Sequence, residues 1–242
     1  MARDFIKNHR NDPNYFKEIA LKYASNIYIS MEKVAKYYDI STDNVQTAIR
    51  LAITMYLITY LECVSIRKKS DDNQQAHYIS GSRYTGNRKK HSQAAAYYDQ
   101  LFAIRRKNII KNYTDKQIRH VVDVYLKNPN SRSVWDKLGL SKKEMNGVLE
   151  KGCIFGIISD KKFDELRKVS LSKARSQNEA NAIQKGFNRI ADNRETRKGI
   201  LKNINAYQKQ LSMCDGNEDL EEKLKYERNY LEWFDSMMLE AI

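Results

Sequence analysis

The chain predicts an all-α protein, and three observations carry that prediction. Two prolines and nine glycines among 242 residues leave few sites for the many turns of a β architecture. Apolar residues recur at three- and four-residue spacing along most of the sequence. Serine or threonine caps, at Ser41, Thr114 and Ser141, stand immediately before such stretches. At this length the chain can bury one large or two smaller cores without disulfides or metal. Cys63, Cys153 and Cys214 are odd in number and far apart, so they read as free thiols of a cytoplasmic protein. His9, His77, His91 and His120 lie on separate segments with no Cys or His at ligand spacing, and neither a metal site nor a cofactor is expected.

The first stripe, Phe16, Ile19, Ala20, Tyr23 and Ile27, predicts a supporting helix over residues 14–28. Two stretches then share one spacing of small and apolar residues. In the first they are Val34, Ala35, Tyr38, Ile40, Val45 and Ala48, with Ser41 as the cap of a second helix from Thr42. In the second they are Val134, Trp135, Leu138, Leu140, Met145 and Val148, with Gly139 at the turn and Ser141, paired with Glu144, as a capping box. Both resemble the helix-turn-helix family of DNA-binding proteins, over about twenty residues each, because two helices crossing steeply need apolar facing sides and a tight turn. Asp39 replaces the usual turn glycine in the first, and Trp135 is bulkier than the family's small residue in the second. Two ordinary helical hairpins in an all-helical core would show the same spacing.

The helix from Thr42 is expected to continue unbroken to about Lys68, apolar nearly all round between Leu51 and Leu61. Residues 68–91 read as a basic polar loop or short hairpin. Helix resumes from about Ser92 to Lys111, and Thr114 with Gln117 forms a capping box for a helix from Asp115 to Lys127. Cys153 to Ile158 is a short strand or a buried turn. In the last third, Ile183, Phe187, Ile190, Leu201, Ile204 and Leu211 form a heptad-like seam broken by Arg194, Arg197 and Gln208. A turn at Asp215, Gly216 and Asn217 leads to Leu220, Leu224, Leu231, Phe234 and Met238, which predicts an antiparallel helical hairpin. The expected organisation is a helix-turn-helix domain with a long helix (1–67), the loop (68–91), a second helical domain (92–160) and the C-terminal hairpin (161–242).

A formal charge of +13 favours polyanionic partners. Residues 66–112 hold eleven Lys or Arg against three Asp, with Tyr78 and Tyr84 among them. Such a stretch either follows a phosphate backbone or is simply a solvated loop. The longest apolar run is about half the ~20 residues a membrane span needs, and the polar opening residues do not read as a signal peptide. Twelve basic and five acidic residues in 162–211 face nine acidic and three basic in 213–242, so the hairpin arms attract. Homo-oligomerisation, a dimer first, is expected through this hairpin or through the apolar helix at 51–61.

No enzyme signature emerges. None of the histidines has arginine three residues on, as a tyrosine recombinase requires, and no phosphate loop, HExxH or GxSxG occurs. The expected partner is double-stranded DNA. The resemblance implies that Thr42, Asp43, Gln46, Thr47 and Arg50 face the major groove, Gln46 and Arg50 being the residue types that pair bidentately with adenine and guanine. Lys142, Lys143, Asn146 and Gly147 would form the matching surface of the second copy. Lys33, Lys36, Arg83, Arg88, Lys89, Lys90, Arg132 and Lys137 are candidate phosphate contacts. The leading expectation is a sequence-selective regulator of bacterial, phage or plasmid type. The small terminase subunit of tailed phages, which it resembles in architecture, and a non-catalytic interaction or inhibitor protein are the alternatives.

Overall fold

A computed structural model describes residues 2–9, 12–26, 28–79, 88–129, 132–213 and 217–242, leaving aside the side chains of 2–3, 71–79, 88–94, 132–133 and 135. Every regular element among them is helical: α1 Ala2–Asn8, α2 Pro13–Ala24, α3 Met31–Tyr38, α4 Thr42–Thr54, α5 Tyr60–Ile79, α6 Arg88–Asn112, α7 Asp115–Lys127, α8 Arg132–Leu138, α9 Lys142–Ile154, α10 Asp160–Leu171, α11 Gln177–Leu211 and α12 Glu218–Ala241. The all-α expectation is met. The chain forms two compact units, one of Met1–Ile109 with Trp135–Ser141 and one of Ile110–Val134 with Lys142–Ile242.

In the first unit Phe16, Ile19, Ala20 and Tyr23 of α2 meet Val34 of α3 and Val45, Ala48, Ile49, Ala52 and Ile53 of α4 in one core. Ser30 caps α3 by accepting from the Lys33 N–H at 3.3 Å, and Ser41 caps α4 by accepting from Asn44 N–H at 3.2 Å. Between them Asp39 sits at φ 52°, and the Ile40 N–H returns to the Ala35 carbonyl at 2.9 Å, which closes α3 with a left-handed cap. The short turn expected at Asp39 is therefore present.

Two expectations fail here. The helix from Thr42 does not run to Lys68. It stops at Thr54, where Tyr56 adopts φ 48° and the Leu57 N–H donates to the Ala52 carbonyl at 3.1 Å. A new helix starts behind Thr59, whose N–H donates to Glu62 Oε2 at 2.6 Å while Glu62 N–H donates to Thr59 Oγ1 at 3.3 Å. This capping box supplies the start signal, and the break folds Ile58, Cys63 and Ile66 back onto the core. The stretch read as a loop from residue 68 is also partly helical: α5 continues to Ile79 and α6 starts at Arg88. Its Lys, Gln and Ala residues are good helix formers, and no Pro or Gly interrupts 60–79. Residues 80–87, with Tyr84, and Ile27 lie outside the described residues, as do Asp215 and Gly216.

Helices α7–α11 repeat α2–α6 in sequence order, although Trp135–Ser141 of the second repeat belongs to the first unit. Gly139 and Gly156 take positive φ, 66° and 69°, one hundred residues beyond Asp39 and Tyr56. The Ile157 N–H returns to the Gly152 carbonyl at 3.0 Å, as Leu57 does to Ala52, and Ser159 caps α10 where Thr59 caps α5. Cys153–Ile158 is therefore a helix end and turn, with no strand. Buried Ile118, Val121 and Val122 of α7 keep the spacing of Phe16, Ile19 and Ala20 on α2. The expected Thr114–Gln117 capping box forms, with Thr114 N–H donating to Gln117 Oε1 at 2.9 Å.

Two further devices recur. Lys69 is 4 % exposed, donates to the Tyr23 and Asn26 carbonyls, and lies 4.1 Å from the Tyr23 ring centroid. Lys173 donates to the Pro129 carbonyl and to the Tyr125 hydroxyl at 2.9 Å, and lies 4.3 Å over the Tyr125 ring. Each places a cation at the negative end of its repeat's first helix. Arg105 of α6 is 2 % exposed and donates to the carbonyls of Ile58 and, at 2.8 Å, Gly139. Arg194 of α11 is 5 % exposed and donates to the Cys153 and Ile158 carbonyls at 2.7 and 2.9 Å. Each arginine thus ties the long fifth helix of its repeat to the turn between the third and fourth. Arg194 fills the seam position that the heptad reading treats as an interruption.

The C-terminal hairpin consists of α11 and α12, and α10 is a separate helix of the second repeat. Ile200 and Ile204 meet Leu224, Phe234 and Met238. Arg197 grips Asp235 with two parallel hydrogen bonds of 2.8 and 2.9 Å, so this second supposed break is also a cross-link.

Candidate nucleic-acid interface

The third helix of each repeat, α4 or α9, has one buried face and one outward face, and the outward faces carry the residues singled out above. On α4, Thr42, Asp43, Gln46 and Arg50 are exposed and Thr47 is half-buried. The buried side is Val45, Ala48, Ile49, Ala52 and Ile53. The packing leaves an outward edge at intervals of four residues, from Thr42 through Gln46 to Arg50. Ser41 is occupied by its cap. Asp43 lies in the first turn, where a carboxylate complements the helix dipole. Its charge also disfavours an anion at that end of the helix.

Lys33 and Lys36 are exposed on α3 in the same unit. Two aromatic residues that the sequence reading did not select join them. Tyr37 is 67 % exposed with the Lys22 ammonium 4.3 Å from its ring centroid, and Tyr28 is 77 % exposed with its carbonyl accepting from Lys33 Nζ at 3.3 Å. Lysines and tyrosines interspersed over 22–37 are the available signal.

On α9, Lys142, Lys143 and Asn146 are exposed. Gly147 is not part of that surface: a methyl group built on it would lie 2.4 Å from Ile110 Cδ1 and 3.2 Å from Ile242 Cγ2. It permits close packing of α9. The counterpart of Arg50 is Glu150, which pairs with Arg189 at 2.7 Å. Hence the two outward faces differ in chemistry, one ending in a guanidinium and the other in a neutralised carboxylate. Lys137 is exposed and belongs to the first unit. Arg83 and the side chains of Arg88, Lys89, Lys90 and Arg132 lie outside the described residues.

Burial also decides what other groups can do. The Cys153 thiol is pushed up to about 12 by its burial, so it stays protonated at neutral pH. Burial lowers the Lys69 and Lys151 ammonium groups from their ordinary value, and Lys151 donates to the Ile110, Lys111 and Tyr113 carbonyls at 2.6, 3.0 and 3.2 Å. Both lysines are therefore held inside the fold and are not available to an anion. Among the described residues no cluster of three His, Cys, Asp or Glu could hold a metal ion, and no helix is long and apolar enough to cross a membrane. In comparisons with protein-family models, with curated proteins and with solved structures, nothing matches this chain.

Proposed function

We propose that this protein binds double-stranded DNA with sequence preference, the first repeat reading bases through α4 and the second holding the phosphate backbone through α9. The observation that carries the reading is the outward face of α4. Gln46 and Arg50, side chains able to form paired hydrogen bonds with adenine and guanine, are exposed on a helix whose other side is locked into the core. Lys22, Lys33 and Lys36 with the exposed rings of Tyr28 and Tyr37 supply cations and stacking surface on α2 and α3 and between them. Lys142, Lys143 and Asn146 offer charge and one amide, suited to holding rather than reading. A role in bacterial, phage or plasmid gene regulation follows from this activity as the simplest use of it.

The test is enrichment of bound fragments from a random duplex pool, followed by anisotropy titrations of the winner and of random duplex over a range of salt. Affinity should fall as salt rises, with the selected site retaining its advantage. Arg50→Ala should lose ~1–3 kcal/mol at one base pair, whereas Lys142→Ala should weaken every sequence alike and lower the salt slope by about one. Equal losses on selected and random duplex for both variants would refute the division of roles. Absence of any salt-dependent duplex binding would refute the reading itself and favour an interaction protein.

A further inference from the structure

α12 has two apolar stripes, and the packing of α11 uses only one. Leu224, Leu231, Phe234 and Met238 turn toward α11. Tyr226, Tyr230, Trp233 and Met237 recur at intervals of four, three and four residues on another side, exposed by 69, 37, 55 and 37 %. The rings are already ordered: Tyr226 and Tyr230 stack at 6.4 Å and 14°, Tyr230 and Trp233 at 5.5 Å and 17°. This ladder runs about 16 Å along the helix. Exposed aromatics and methionine of this kind, ordered before any partner arrives, form the centre of protein interfaces.

Charge chooses among occupants. Residues 213–242 carry nine acidic and three basic residues in a chain that is otherwise strongly basic, so a nucleic acid is repelled from this helix. The stripe is also its own complement when reversed. In an antiparallel pair centred between Tyr230 and Trp233, Tyr226 meets the second copy's Met237 and Tyr230 meets the second copy's Trp233. The same register sets Lys223 against the second copy's Glu240, and both flanking residues are exposed. Lys223 is exposed and makes a loose 3.7 Å contact with the exposed Asp219, which leaves it able to turn outward. Glu222 and Glu227 would face Ala241 and Ser236, so no like charges are opposed. Parallel pairing would instead set Lys223 against Lys223 and Glu240 against Glu240.

We propose that two copies of this protein associate through α12, antiparallel and two-fold symmetric, with the Tyr226–Met237 ladder buried at the centre and Lys223–Glu240 pairs at both ends. This interface is independent of the DNA-binding reading and involves none of its residues.

Sedimentation equilibrium of the full chain tests it, with circular dichroism confirming that each variant remains helical. The wild type should be a reversible dimer that persists at high salt. Trp233→Ala should weaken it by roughly thirtyfold or more, as loss of a central aromatic does. Lys223→Glu and Glu240→Lys should each weaken it by about tenfold, through like-charge contact across the pair. Combining the two exchanges in one chain should restore wild-type dimerisation. A protein that stays monomeric up to about 100 µM would overturn the proposal. So would a dimer indifferent to Trp233→Ala, or one that the combined exchange fails to rescue.

Discussion

The two repeats hold the same frame and differ in what they place on it. Both bury apolar residues of a first helix at matching spacing, close the second helix with a left-handed residue, and clamp the turn after the third from a distant arginine, Arg105 or Arg194. They diverge at the outward face of the third helix, where Arg50 is replaced by the paired Glu150 and half-buried Thr47 by buried Gly147. They diverge again in the link to the fifth helix: 39 residues separate Ile66 from Arg105, but 28 separate Leu166 from Arg194. Core and clamp positions have little freedom because each is surrounded. A solvent-facing edge can change without disturbing them, and that is where a difference in ligand would be written.

The strongest way to test the shared frame is to remove its clamps. Arg105→Ala and Arg194→Ala should each destabilise by about 3 kcal/mol or more, because charge-assisted bonds to buried carbonyls are lost together with the packing of the long side chain. Hydrogen exchange should show the loss of protection confined mainly to the unit that carries the substitution, and a uniform loss across both would deny them a local role. Next is Gly147→Val, expected to cost ~1–3 kcal/mol through overpacking against Ile110 and Ile242. Thr47→Val at the half-buried equivalent should be tolerated, and equal denaturation midpoints for the two would erase the distinction between the faces. The smallest effect concerns pH. Hydrogen bonds from Arg194 and Lys198 hold the exposed Asp160 carboxyl below its ordinary 3.8. Its contribution is therefore present above about pH 4 and fades as pH falls through its lower folded value. Asp160→Asn should be slightly less stable than wild type at neutral pH and converge with it in acid, as followed by thermal melts; a gap that widens in acid would reverse the sign.

Helix content, the supporting helix, the caps at Ser41 and Thr114 and the seam of the hairpin were legible because each rests on local periodicity or on a capping side chain. The second repeat could also be punctuated from its sequence, since its left-handed positions are glycines, 139 and 156. The first has Asp39 and Tyr56 at those places. A left-handed tyrosine costs about 1–2 kcal/mol relative to glycine and carries no local signal, so the sequence pattern reads as a helix that continues through it. The clamps were illegible for a different reason. Arg105 and Arg194 look like polar interruptions until the carbonyls that they satisfy, 47 and 36 residues away in sequence, are brought beside them. On the outward faces, Gln46 and Arg50 were legible as residue types, but the burial of Gly147 and the pairing of Glu150 depended on the partners Ile110, Ile242 and Arg189.

The composition of the first unit also bears on how the chain emerges during synthesis. Its last piece, Trp135–Ser141, is made only after α7, and the Gly139 carbonyl in that piece accepts both the Tyr60 N–H at 3.2 Å and an Arg105 guanidinium N–H. The ribosome must therefore release part of the second repeat before the first can finish folding. A fragment cut after α6 would lack the Gly139 carbonyl that Tyr60 and the buried Arg105 use, so dissection of this protein should begin from a boundary beyond residue 141.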